Sequence, residues 1–130
     1  MPKSDSTFII NKTKGTSTPV GVPFESIKDK ILGIKYELSV SFVSSATQRK
    51  FNRTYRGKDK TTNILSFPLS ESTGEITFDL AKVRKDAPNF DMPYIQFLKY
   101  LFIHGLLHLK GFEHSSTMEK EEKKFLKIFS

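Results

Sequence analysis

The chain contains no cysteine. Disulfides, cysteine-type zinc sites and thiol nucleophiles are excluded, and the composition fits a reducing compartment. A long apolar run is also missing. The most hydrophobic stretch, Tyr100 to Leu109, lies between Lys99 and Lys110 and carries two of the histidines. It falls far short of the about 20 residues of a bilayer span, so it reads as a buried helix. The amino-terminal stretch MPKSDSTFIINKTKG lacks an apolar segment of signal-peptide length. A cytoplasmic protein with no membrane partner is expected. No internal repeat or low-complexity tract is visible. Acid is the scarcer charge, with 14 Asp and Glu against 21 Lys and Arg and a net charge of +7. At 130 residues the chain is expected to form one domain over residues 1–130, large enough to bury a core.

All three histidines fall within the eleven residues from His104 to His114. His104 and His108 are four apart, so a helix over Tyr94 to Lys110 presents both imidazoles on one face, one turn apart. Gly111 stands where a helix ends on a left-handed residue, and a reversal there brings His114 back toward the same point. Three imidazoles with a fourth position left to water is the arrangement of a catalytic zinc, whereas structural zinc is closed by four protein ligands. A satisfied core histidine explains one such residue, not three at this spacing. One zinc ion per chain on His104, His108 and His114 is therefore expected. The spacing also follows the metzincin protease pattern H-E-x-x-H-x-x-G-x-x-H except at one position. The glutamate that serves a peptidase as general base is replaced by Gly105, so the metal geometry is kept and the peptidase base is lost.

The positive charge is uneven. Arg49, Lys50, Arg53, Arg56, Lys58 and Lys60 are opposed in their segment only by Asp59, giving it a charge of +5. Such a patch suits a polyanion, most simply nucleic acid, because phosphate contacts release counterions. A solvated helix face has the same charge signature.

Around these features the chain reads as alternating strands and helices. Thr7–Asn11 is a short strand, followed by a Gly/Ser/Thr/Pro loop through Val22. Phe24, Ile27, Ile31 and Leu32 have helical spacing within Pro23–Leu32, with Gly33 as the stop. Tyr36–Val43 alternates with period two, the clearest strand in the chain. Ser44 or Ser45 caps a basic helix over Ala46–Tyr55 that Gly57 ends. Asn63–Phe67, stopped by Pro68, and Gly74–Phe78 read as paired strands. Asp79–Asn89 carries no assignment. Asp91 is the expected cap of a long helix to Leu109, with Pro93 in its first turn. Ser116 to Glu119 forms a capping box that opens a last helix with Phe125, Leu126 and Phe129 on its apolar side. The expected fold is α/β (α+β), a small mixed four-stranded sheet covered by helices, with the zinc-binding helix buried at its centre.

Two stretches together resemble the YbeY family of metal-dependent rRNA maturation endoribonucleases. Phe51 to Pro68, FNRTYRGKDKTTNILSFP, is similar to that family's N-x-x-Y-R-x-K-D-x-x-T-[DN]-V-L-S-F-P. His104 to His114 is similar to its H-G-x-L-H-L-x-G-[YF]-D-H. The two motifs cover 29 residues, in the family's order. Departures are Glu113 and Glu75 where the family has aspartate, Thr61 where it has proline, and a shorter region between Asp79 and Asp91. These keep charge or polarity and every candidate ligand.

The resemblance implies zinc on His104, His108 and His114, Arg56 as the catalytic basic residue facing the scissile phosphate, and rRNA with ribosomal subunits and assembly proteins as partners; no DNA partner is expected. The residues agree on both roles, since zinc activates water and polarises phosphoryl oxygens and a guanidinium binds them bidentately. The expected activity is a single-zinc phosphodiesterase on single-stranded RNA in rRNA maturation and ribosome quality control, with zinc hydroxide or the substrate 2′-hydroxyl as nucleophile. Asn52, Lys58 and Asp59 shape the loop or the RNA path, Ser66 lines the cleft from a strand, and Glu113 caps or orients His114. One alternative is a zinc-stabilised, rRNA-binding assembly factor without cleavage; another is a metal hydrolase of peptides or small molecules, which leaves the basic segment unexplained.

Overall fold

The computed structural model describes residues 6–130; the first five residues of the amino-terminal stretch considered above lie outside it. In chain order the elements are β1 (Thr7–Asn11), α1 (Phe24–Leu32), β2 (Glu37–Phe42), α2 (Ser45–Arg56), β3 (Ile64–Ser70), β4 (Thr73–Phe78), α3 (Leu80–Asp86), a 3₁₀ turn (Ala87–Phe90), α4 (Tyr94–Leu109) and α5 (Ser116–Ile128). The four strands form one mixed sheet in the order β1-β2-β4-β3. β1, β2 and β4 run parallel, and β3 pairs antiparallel with β4 at the edge. The expected mixed sheet under helices is therefore observed.

Side chains alternate across a strand, which sorts the β3–β4 pair into two faces. Ile64 and Ser66 with Ile76 and Phe78 face one side, and Leu65 and Phe67 with Glu75 and Thr77 face the other. The first side is the main core. There Leu38, Val40, Phe42, Ile76 and Phe78 pack with Ile27 and Ile31 of α1 and with Phe97, Phe102 and Leu106 of α4. Each such side chain, fully buried, contributes about 1.5–3 kcal/mol. Along α4 nine residues are buried, which is why its sequence is apolar on nearly every side.

On the second side α2 lies against the sheet through polar contacts. Gln48, fully buried, donates from Nε2 to the Thr77 carbonyl at 3.0 Å and accepts from Thr77 Oγ1 at 2.7 Å. Buried Asn52 donates to the Lys60 carbonyl at 2.9 Å, pinning the loop after the helix. A buried polar group costs little when it is hydrogen-bonded. Lys28 of α1 follows the same rule: it is 0% exposed. Its ammonium donates to Ser6 Oγ and to the carbonyls of Gly33 and Tyr36, and pairs with Asp29.

Three expectations are corrected, and one unassigned stretch gains a structure. Pro68 does not stop its strand; β3 continues to Ser70, because an edge strand tolerates a missing N–H, and the ladder slips just after the proline. Asp91 does not cap α4. It takes a left-handed conformation (φ 53°) that closes the 3₁₀ turn, and Pro93 occupies the N-cap position, its carbonyl accepting from Phe97 at 2.9 Å. The last helix is capped by Ser115, not Ser116, whose Oγ accepts from the Met118 amide at 3.2 Å. The unassigned stretch after β4 forms α3, capped by Asp79, whose side chain accepts from the Lys82 amide. At α2, Ser44 is the cap, the first of the two serines considered.

Candidate metal centre

α4 presents His104 and His108 one turn apart and ends immediately after them. Its carboxyl end closes with the paired bonds of a Schellman motif, Gly111 amide to His108 carbonyl and Phe112 amide to Leu107 carbonyl, both 3.0 Å. Gly111 has φ 106°, a conformation available to glycine and strained for other residues. The reversal returns the chain over the end of the helix, so His114 meets the other two. Ring centroids are 4.6 Å (His104–His108), 5.0 Å (His104–His114) and 4.8 Å (His108–His114) apart. One ring nitrogen from each lies within 4.8 Å of the others.

The outer nitrogens explain how these rings are oriented. His108 Nδ1 lies 3.2 Å from the Phe112 carbonyl, an acceptor only, so this nitrogen carries the proton. His104 Nδ1 is buried without a hydrogen-bond partner and lies 3.5 Å from Glu122 Oε2. A proton on that nitrogen faces the carboxylate. With Nδ1 protonated on both rings, the tautomers that leave Nε2 free to ligate, the two Nε2 lone pairs face one another across 3.1 Å. Two lone pairs at that distance repel unless a cation sits between them. The separation is close to the about 3.3 Å between two ligands of a tetrahedral zinc with bonds of about 2.0–2.1 Å. Burial, the largest cause for both, holds the pKa of His104 and of His108 below the ordinary imidazole value. The neighbouring His114 pushes the same way for each, and Glu122 opposes it. Neutral imidazoles are the ligating form.

Glu122 was not among the residues singled out from sequence. It is 6% exposed, on the inner side of α5 beside Phe125. A carboxylate three residues before an apolar anchor, and so on the buried side of a helix, was the available signal. Tyr100 lines the same pocket as this carboxylate, and burial, the largest cause, together with Glu122 pushes its hydroxyl up to about 12. Glu113, by contrast, is exposed and has no hydrogen bond or ion pair among the described residues.

The peptidase-base position is closed by packing. A Cβ on Gly105 would lie 2.9 Å from Ile64 Cδ1, 2.9 Å from Ser66 Oγ and 3.1 Å from Ile76 Cδ1. Position 105 is the seat of α4 on the sheet and has no room for a glutamate.

Arg56, the last residue of α2 on the other side of the sheet, lines one cleft with the histidines past edge strand β3. A cleft of about 470 Å³ is lined by Arg56, Thr62 to Ser66, Leu101 and all three histidines. Arg56 also helps depress the His108 pKa. The loop between α2 and β3 that frames this cleft is tied down by Asn52, by Thr61 Oγ1 donating to Asp79 at 2.7 Å, and by Asn63 donating to Asp86 at 3.0 Å. Asp59 holds Arg49 at 3.0 Å and approaches Arg53 at 3.8 Å, whereas Lys58 and Lys60 join Arg56 around an adjoining pocket of about 210 Å³. Ser66 lines the histidine cleft from β3, as expected.

The family model described as endoribonuclease YbeY matches residues 19–129. A Mycoplasmopsis synoviae protein named endoribonuclease YbeY is 42% identical over 99 residues, which cover 68% of this chain and 64% of the relative. A protein of the same name from Persephonella marina is 33% identical over 135 aligned positions, covering 95% of this chain and 86% of the relative. A third, from Paraburkholderia phytofirmans, is 41% identical over 66% of this chain and 60% of its own length. This chain thus spans under two thirds of two of these relatives. The solution structure of a Thermotoga maritima protein superposes with a TM-score of 0.65 at 28% identity, over 95% of this chain and 88% of the other.

Proposed function

This chain belongs to the YbeY endoribonuclease family, and from that membership we propose that it is a zinc-dependent endoribonuclease cleaving single-stranded RNA in rRNA maturation and ribosome quality control. His104, His108 and His114 hold the metal, and Arg56 faces the scissile phosphate. The observation that carries this reading is the convergence of three histidines, one ring nitrogen from each within 4.8 Å of the others, in a cleft that Arg56 also lines.

The donor set suits zinc, three neutral nitrogens with a side open to the cleft. When bound, such a metal supplies a Lewis acid for a phosphoryl oxygen and acidifies water. Arg56 binds nonbridging phosphate oxygens through paired N–H donors and stabilises the charge that accumulates on them. The Phe112 carbonyl fixes the His108 tautomer, and the Glu122 carboxylate, 3.5 Å from His104 Nδ1, favours a proton on that nitrogen. Glu122 stands behind His104, in a pocket that adjoins the cleft through His104 and His114 and that Tyr100 and Glu119 also line, and in this reading its role is to orient the His104 ring. Gly105 leaves no space for a base where a peptidase has one. No helix among the described residues is long and apolar enough to cross a membrane, and the substrate partner in this reading is rRNA presented on ribosomal subunits in the cytoplasm.

The test is cleavage of single-stranded RNA by wild type and Arg56→Ala, with folding checked by circular dichroism and metal content measured on the same samples. Removal of a preorganised donor to transition-state charge lowers turnover by about 10²–10³, and here it should do so with metal content unchanged. Equal trace cleavage in both proteins would identify a contaminating nuclease and favour an RNA-binding assembly factor without its own cleavage.

A further inference from the structure

Arg56 lines three adjoining spaces. Besides the histidine cleft and the lysine-rimmed pocket, it borders a groove of about 400 Å³ on the α2 face of the sheet. Phe51, Tyr55, Leu65, Phe67 and Glu75 form the working part of that groove. Tyr55 stands edge-on to Phe67, centroids 5.0 Å apart at 63°, and Phe67 packs at 6.3 Å and 85° against Phe51. Tyr55 nevertheless remains 67% exposed, and the neighbouring Leu69 68%. An aromatic cluster left this open, on a helix that otherwise shows arginine and lysine to solvent, has unsatisfied ring faces.

The charges around the groove select its occupant. Glu75 lies in it, with no hydrogen-bond or ion-pair partner among the described residues, and would repel a phosphate or an acidic peptide. A nucleobase has what the groove lacks, a flat π-face for Tyr55 and Phe67 and N–H groups for a carboxylate. Arg56 sits where the phosphate joined to that base would lie, and Lys58 and Lys60 continue the positive track beyond it. We propose that this groove seats one unpaired base of the RNA, next to the phosphate held by Arg56, so that the strand bends around the edge of β3 from the aromatic platform into the histidine cleft. The proposal rests on the RNA-cleaving reading of the site. Stacking on an aromatic platform tolerates any base, which suits recognition of single strands rather than duplex.

The experiment is anisotropy titration of a labelled single-stranded RNA with the metal-loaded wild type, Tyr55→Leu and Tyr55→Phe, repeated with RNAs carrying one abasic residue at each position in turn. Tyr55 is exposed, so its replacement should leave the melting temperature unchanged, which circular dichroism verifies. Base–aromatic stacking is worth about five- to 150-fold in affinity. Tyr55→Leu should weaken intact RNA by at least about fivefold, and Tyr55→Phe, which keeps the ring, should restore binding. One abasic position should weaken wild type by a similar factor and Tyr55→Leu no further. Unchanged affinity in Tyr55→Leu, with wild type still binding and cleaving, would overturn the subsite alone and assign the groove to a protein partner. Failure of wild type to bind RNA would overturn the cleavage reading and this proposal together.

Discussion

Gly105→Ala separates local helix propensity from packing at the metal centre. Propensity alone favours the alanine by about 0.8–1.0 kcal/mol in a helix interior. The structure opposes it, because the new methyl meets Ile64, Ser66 and Ile76 within 3.1 Å, side chains from both β3 and β4. Overpacking of a filled core costs about 1–3 kcal/mol. The balance is a net loss of about 1 kcal/mol, or roughly 4 °C in melting temperature for a chain of this size. Metal affinity should fall with it, since lifting α4 from the sheet moves His104 and His108 relative to His114. In an Ile64→Val background the Cδ1 contact is gone, and the penalty should shrink by about 0.5 kcal/mol or more. Urea denaturation gives the stabilities, and competition with a chelator gives the affinities. Gly105→Ala that is stabilised by about 1 kcal/mol with undiminished metal affinity would refute the claim that this glycine is required by close packing.

Glu122→Ala should lower metal affinity by about 10–100-fold, the usual effect of removing a carboxylate behind a ligating histidine; unchanged affinity in a chelator competition would remove Glu122 from the site. In the metal-free protein, folding holds the pKa of His104 and of His108 below its ordinary value. The unfolded chain therefore takes up protons first as the pH falls through about 6.5, and stability should decline from about pH 7 toward pH 5. A urea midpoint that is flat or rising over that window would contradict the direction of these shifts.

Much of the site was legible because its spacing carries the geometry. A four-residue interval and a glycine three positions later specify two imidazoles on a helix face and a reversal, and the Schellman closure at Gly111 is that reversal. That Arg56 would line one cleft with the histidines was suggested only by the motif around it, since nothing local indicates that the end of α2 meets the same cleft as α4. Glu122 escaped because its place beside His104 depends on α5 packing against α4, a contact between elements with no shared sequence period. Asp91 and Ser116 were misread for a simpler reason. At α5 two adjacent serines can each cap, and at α4 Asp91 is the nearest capping residue in sequence but is spent closing the preceding 3₁₀ turn, so the turn before each helix decides where it starts. Pro68 failed as a strand stop because its effect depends on whether the strand is central or at the edge.

The most direct test of a metal-dependent RNA-cleaving centre is to strip the protein of metal and titrate zinc back while following single-stranded RNA cleavage, in wild type and His114→Ala. Cleavage should be absent without metal, rise to a plateau at one zinc per chain in wild type, and fail to recover over the same range in the folded variant. Full cleavage by metal-free wild type, or an identical titration in His114→Ala, would contradict the assignment of the three imidazoles to one catalytic metal.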